Sequence, residues 1–202
     1  HAMIVRMTVA AEFERRIREV VRIAERYVRH TNGKPDVEPL PLATSLGERE
    51  RALALMLGAS HDEIELLWSA IAFAVEPRVA VQAQLVFGPD TTGVTLAQHI
   101  AWRELPEDRR RALAAVLDAH HPLRDLGFLV PARPGPVNVW TPLTVVRRAI
   151  DYLHGEDELE PSVGIVGADH LHHAVGQRAL IHRLRGWLGD SKDTNDFRSA
   201  AT

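Results

Sequence analysis

The sequence predicts a mainly α-helical chain with one short β-hairpin. Three observations carry that expectation. Apolar residues recur at helical spacing through most of the chain, as in the first segment. Helix start and stop signals punctuate it, among them Ser60, Thr95 and the Glu76-Pro77 break. Period-two alternation is confined to the neighbourhood of Pro131–Pro136, a Pro/Gly-rich turn.

Taken in order, Phe13, Ile17, Val20, Val21, Ala24 and Val28 define a first helix from about Val9 to His30, closed before Asn32-Gly33. Pro35, Pro39 and Pro41 make a stiff linker, which sets a boundary between an N-terminal unit, 1–42, and a main domain, 43–155. A second helix runs from Gly47 to Leu57, stopped by Gly58. Ser60-His-Asp-Glu63 has the form of a capping box, in which a serine and a glutamate satisfy the free amides of a helix start. The helix it opens, with Ile64, Leu66, Leu67, Trp68, Ile71 and Phe73, is apolar on nearly every face and is expected at the centre of the core. Pro77 suits the first turn of a further helix to about Val86. Gly88-Pro-Asp90 and Gly93 are turn chemistry. Thr95 is placed to cap a short helix, and Leu105-Pro-Glu-Asp begins another that carries Leu113, Val116 and Leu117.

From Asp125 to Val130 the pattern reads as a strand, and Val137-Asn-Val-Trp140 as its partner. Thr141-Pro142 is expected to cap and begin a helix through Val145, Val146, Ala149, Ile150 and Leu153, ended by Gly155. Helix, helix, hairpin, helix is a winged-helix-like variant. The last segment, 156–202, comprises an acidic connector at Glu156–Glu160, an amphipathic stretch from about His170 to Leu188, and a polar tail.

Composition narrows the function. The chain has 202 residues, 46% of them hydrophobic, and a formal charge of -3, so there is no general electrostatic case for nucleic acid. It contains no cysteine, which excludes disulfides and thiolate chemistry. No apolar run approaches the roughly 20 residues of a membrane span, and Arg6, Glu12, Glu14, Arg15 and Arg16 interrupt any signal-peptide pattern. A cytoplasmic protein is the expectation. His1-Ala2 ahead of Met3 reads as a cloning remnant.

Candidate sites are few. Asp169-His-Leu-His-His173 holds metal-ligand residue types, but its spacing matches no zinc motif, so no metal is assigned. His120-His121 is expected at a helix end, where imidazole interacts favourably with the dipole. The arginines of the first helix alternate with glutamates, placed for pairs such as Glu12–Arg16, Glu14–Arg18 and Glu25–Arg29 on a solvent face. Arg109-Arg-Arg111, preceded by Glu107-Asp108, reads the same way. Arg133 at the hairpin tip and Arg147 and Arg148 after it are where a winged helix would grip phosphates. Trp140 and Trp187 are the tryptophans expected to be partly exposed and able to anchor a partner. An exposed apolar patch is expected along the wing or the terminal helix.

The stretch Leu46 to Gly155 contains, in order, Ala74-Val-Glu-Pro-Arg-Val, Val94-Thr-Leu-Ala97, His121-Pro-Leu-Arg-Asp-Leu-Gly-Phe-Leu-Val and Arg148-Ala-Ile-Asp-Tyr-Leu-His-Gly. This succession resembles the non-catalytic region upstream of the motor in a group of bacterial AAA+ ATPases, some associated with phage-tail-like contractile particles. The resemblance implies an adaptor or regulatory domain that binds a protein target or organises a homo-oligomeric ring. It implies no catalytic residues and no cofactor here, ATP and Mg belonging to the parent motor alone. In agreement, G-x-x-x-x-G-K-[ST] is absent from the sequence. The alternative reading is a winged-helix regulator that binds DNA or RNA. From Gly164 onward the resemblance ends.

Overall fold

The computed structural model describes residues 2–34 and 46–156, with side chains described from residue 9. Eight α-helices follow in order: α1 (Ala2–Thr31), α2 (Glu48–Leu57), α3 (His61–Val75), α4 (Pro77–Phe87), α5 (Leu96–Arg103), α6 (Glu107–Leu113), α7 (Pro122–Asp125) and α8 (Arg147–His154). A 3-10 turn, Ala114–Leu117, continues α6, and two short strands, β1 (Leu129–Pro131) and β2 (Leu143–Val145), separate α7 from α8. The described residues are thus mainly helical with one small antiparallel sheet, as the sequence predicts.

Local chemistry explains most boundaries. The Ser60 hydroxyl accepts from the Glu63 amide, and the Glu63 carboxylate accepts from the Ser60 amide at 2.7 Å. Thr95 and Gln98 form the same reciprocal box at the start of α5. Pro77 occupies the first turn of α4, and the Glu76 side chain accepts from the Arg78 amide there. Gly58 closes α2 in the left-handed conformation.

α3 is the axis of the core. Ile64, Leu66, Leu67, Trp68, Ala70, Ile71 and Ala72 are buried, and α3 emerges into solvent only at its ends, at His61 and at Ala74-Val75. Around it pack α1, α4, α5, α6 and β2. Phe13, Ile17, Val20, Val21 and Ala24 of α1 lie in the same apolar cluster as Trp68, Leu143 and Leu153. α1 therefore shares one core with the rest. The proline-rich boundary expected at the end of 1–42 falls on residues 35–45, outside the described residues, as does the connector from Asp157 onward.

Several elements depart from expectation. α1 begins at Ala2 rather than Val9. The first strand is shorter and later, because Pro122–Asp125 forms a helical turn and Gly127 reverses the chain at φ 76°. The second strand is not Val137–Trp140 but Leu143–Val145, and α8 starts at Arg147 rather than at Thr141-Pro142. Two physical causes are visible. Thr141 spends its hydroxyl accepting from the Asn138 amide, so it caps no helix. Thr144, Val145 and Val146 are β-branched and favour extended backbone. Leu143 seals the arrangement, being fully buried and paired with Pro131 of β1 on one side and Val94 on the other.

Across the sheet the order is therefore Val94, β2, β1. Gly93 is required at its edge, because a Cβ there would lie 2.6 Å from the Leu143 carbonyl oxygen. No larger residue fits without displacing backbone.

Candidate partner-binding surface

The segment between β1 and β2, residues 132–142, is the longest irregular stretch among the described residues. It is not loose. The Val139 carbonyl accepts from the Ala97 amide at 2.9 Å, which satisfies one of the free donors at the start of α5. The Asn138 side chain accepts from the Trp140 amide at 2.9 Å, and the Thr141 amide donates to the Asn138 carbonyl at 3.0 Å. With the Thr141 hydroxyl on the Asn138 amide at 2.9 Å, these bonds close a small self-contained turn. The turn holds the Trp140 backbone in place while its indole is left 67% exposed. Arg133 is exposed on the same loop.

Arg147 and Arg148 stand at the start of α8, directly after β2. Arg147 is exposed and its Nε donates to Asp151 at 2.7 Å, one turn along the helix. Arg148 is half-buried. Trp187 and the 169–173 Asp/His cluster lie outside the described residues. Among the described residues no group of three metal-ligating side chains is arranged so that it could hold a metal ion.

The remaining arginines are more heavily paired than their spacing suggests. In α6, Arg109 forks onto Asp62, Arg111 pairs with Glu107 at 2.8 Å, and Arg110 donates to the Leu105 carbonyl. The hydrogen bonds from Arg109 hold the Asp62 carboxyl below its ordinary range. The α6 face thus carries its own counter-charges.

The arginines of α1 hold the largest surprise. Arg16, expected on a solvent face, is 1% exposed. Instead of Glu12 it binds three carboxylates from three helices: Glu19 at 2.8 Å, Glu50 at 2.8 Å, and Glu65. Arg103 of α5 bridges Glu19, at 3.5 Å, and Glu65. The Arg16 guanidinium also lies over the Trp68 ring, 5.4 Å from its centroid. Burial by itself lowers the Arg16 pKa, but the charges of Glu65, Glu50 and Glu19 outweigh it and hold the group above the ordinary arginine value. Arg103 goes the other way, its burial outweighing Glu65 and Glu19. Sequence spacing missed this cluster because i,i+3 and i,i+4 rules see only partners on the same helix. One signal was available: Arg16 falls between Phe13, Ile17 and Val20 on the apolar stripe.

Two histidines are also structural. His121 is not at a helix C-terminus but at the N-cap of α7, where its Nδ1 accepts from the Leu123 amide at 3.3 Å. That bond requires an unprotonated Nδ1, so Nε2 carries the proton and donates to Glu63 at 3.1 Å. His99 is 0% exposed, with Nδ1 2.8 Å from the Ser69 hydroxyl. Because Ser69 gives its proton to the Glu65 carbonyl at 3.1 Å, His99 Nδ1 is the donor of the pair. Burial, and then the nearby Arg103 charge, push the His99 pKa down to about 3, so the ring is neutral.

Chemically, the charges of the Arg16 cluster are paired with one another, whereas Trp68 Nε1, Trp102 Nε1, Gln82 Oε1 and His99 Nε2 are buried without a hydrogen-bond partner among the described residues, and the exposed loop offers an aromatic side chain. No described helix is long and apolar enough to cross a membrane. Comparison of the chain with protein-family models, with curated proteins and with solved structures finds no match.

Proposed function

We propose that this chain is a non-catalytic adaptor domain of a cytoplasmic AAA+ ATPase, binding a protein target through the 132–142 loop with Trp140 as its anchor. The observation that carries the reading is the exposed indole on a backbone fixed by its own hydrogen bonds. An aromatic presented on a rigid turn loses little entropy on binding, and aromatic residues dominate interface energetics. Two further features support it. The sequence resemblance of Leu46–Gly155 to the region upstream of such motors points to target recruitment or assembly, with ATP and Mg confined to the parent motor. The succession α4, Val94, α5, α6 with its 3-10 turn, α7, β1, long loop, β2 supports the winged-helix-variant reading, in which 132–142 is the wing.

A winged-helix module that binds DNA or RNA is the second reading, favoured by the exposed Arg133 on that wing and Arg147 beside it. Against it, Arg109 and Arg111 on the helix that would enter the groove already hold carboxylates. Phosphate contacts through such groups must first break those pairs.

The two readings separate in one experiment. The chain and its Trp140→Ala variant serve as baits in bacterial lysate, at low and high salt, with and without nuclease. A protein retained at high salt after nuclease, and lost with Trp140→Ala, is the expected result. Capture that disappears with nuclease or salt and tracks Arg133→Ala instead contradicts the adaptor reading.

A further inference from the structure

α4 breaks the rule that a surface helix shows solvent a polar face. Between Arg78 and Asp90 it and its following turn carry no charged residue. Val79 and Ala83 face the core, yet the opposite stripe is apolar too, with Val81 51% and Leu85 68% exposed. Pro77 and Gln84 are exposed beside them, and Val75 emerges just before, at the end of α3. Two exposed aliphatic side chains one turn apart, with no charge among them, have the character of a helix face meant to be covered.

We infer that the α4 face pairs with the α4 face of a second copy, antiparallel and about a two-fold axis. Charge selects this occupant. A two-fold contact sets a surface against itself, so any uncompensated charge on it meets its own like. The stripe has none to oppose, since its one cation, Arg78, is forked onto Glu76 at 3.0 and 3.1 Å. Antiparallel pairing places Val81 of each copy against Leu85 of the other, with Gln84 near the axis. It then brings Arg78 to the 88–90 turn of the second copy, where Asp90 has no ion-pair partner among the described residues. Arg78 lies between its own Glu76 and that Asp90, and the two helix dipoles oppose favourably. A parallel arrangement would instead set Asp90, which has no ion-pair partner among the described residues, against Asp90.

The face of an 11-residue helix is small beside the roughly 800 Å² per partner of a standard interface, so the dimer is weak and concentration-dependent. The inference does not depend on the adaptor reading, whose loop lies elsewhere in the fold.

Sedimentation velocity of the whole chain over a concentration series tests it. A monomer–dimer equilibrium is expected, abolished by Leu85→Glu and weakened by Asp90→Arg, with circular dichroism and melting temperature unchanged because both side chains are exposed. The absence of native cysteine allows a second arm. Gln84→Cys should oxidise to a covalent dimer, whereas Leu55→Cys, also exposed but on α2, should not. A monomer at every concentration, a dimer indifferent to Leu85→Glu, or equal cross-linking of the two cysteine variants would each overturn the inference.

Discussion

The cluster around Arg16 and the loop around Trp140 use polar chemistry to opposite ends. In the first, two arginines and three glutamates from α1, α2, α3 and α5 are drawn inside, and each buried charge has a partner of opposite sign. In the second, a few hydrogen bonds among Asn138, Trp140 and Thr141 satisfy a backbone turn and leave a large aromatic outside. The buried network fixes how α1 seats on the core; the loop's network fixes what the surface offers. Removing a group from the first should therefore damage the fold, and removing one from the second should damage recognition alone.

The largest expected effect is at Arg16. Arg16→Ala leaves Glu19, Glu50 and Glu65 gathered without their central cation, and should cost about 3–5 kcal/mol in chemical unfolding. A loss under about 1 kcal/mol would mean that α1 is held by its apolar face and that the comparison is misplaced. Replacing the ring of charges with apolar groups of similar volume is a different experiment, and can be neutral.

Acid sharpens the same contrast through His99. Its ring stays neutral in the folded chain down to about pH 3, whereas in the unfolded chain it takes a proton below about 6.5. The unfolded state then binds more protons, so the stabilising contribution is present above pH 6.5 and is lost as pH falls towards 3. The slope from this one group approaches about 1.4 kcal/mol per pH unit inside that window. Denaturant midpoints measured from pH 7 to 5 should fall, and His99→Gln should flatten the fall by that share.

Smaller effects test the frame around the loop. Gly93→Ala forces a methyl against the Leu143 carbonyl and should destabilise by about 1–3 kcal/mol, measurable as a lower melting temperature. Thr95→Ala removes the cap of the helix on which the loop rests and should cost about 1 kcal/mol.

What the sequence discloses divides along the same line. Local signals were legible: Ser60 with Glu63, Thr95 as a cap, Pro77 in a first turn, and an α3 apolar on nearly every side all describe elements that form as their own residues dictate. Non-local pairing was not. The second strand was displaced from 137–140 to 143–145 because its edge is chosen by Val94 and Leu129, distant in sequence. Arg16 looked like a surface residue because two of its three partners, Glu50 and Glu65, sit on other helices. Of the candidate site, Arg133 and Trp140 lie on one loop and Arg147 and Arg148 follow it on α8, while Trp187 is outside the described residues. The apolar face of α4 went unread, because Val81 and Leu85 look like core until the helix is seen with its other side already buried.

The most direct test measures stability and capture side by side for Trp140→Ala and Arg16→Ala. The account predicts that Trp140→Ala keeps the wild-type unfolding midpoint and loses the protein captured at high salt, while Arg16→Ala unfolds far more readily. A Trp140→Ala chain that unfolds like a core variant, or that captures protein as well as the wild type, contradicts it.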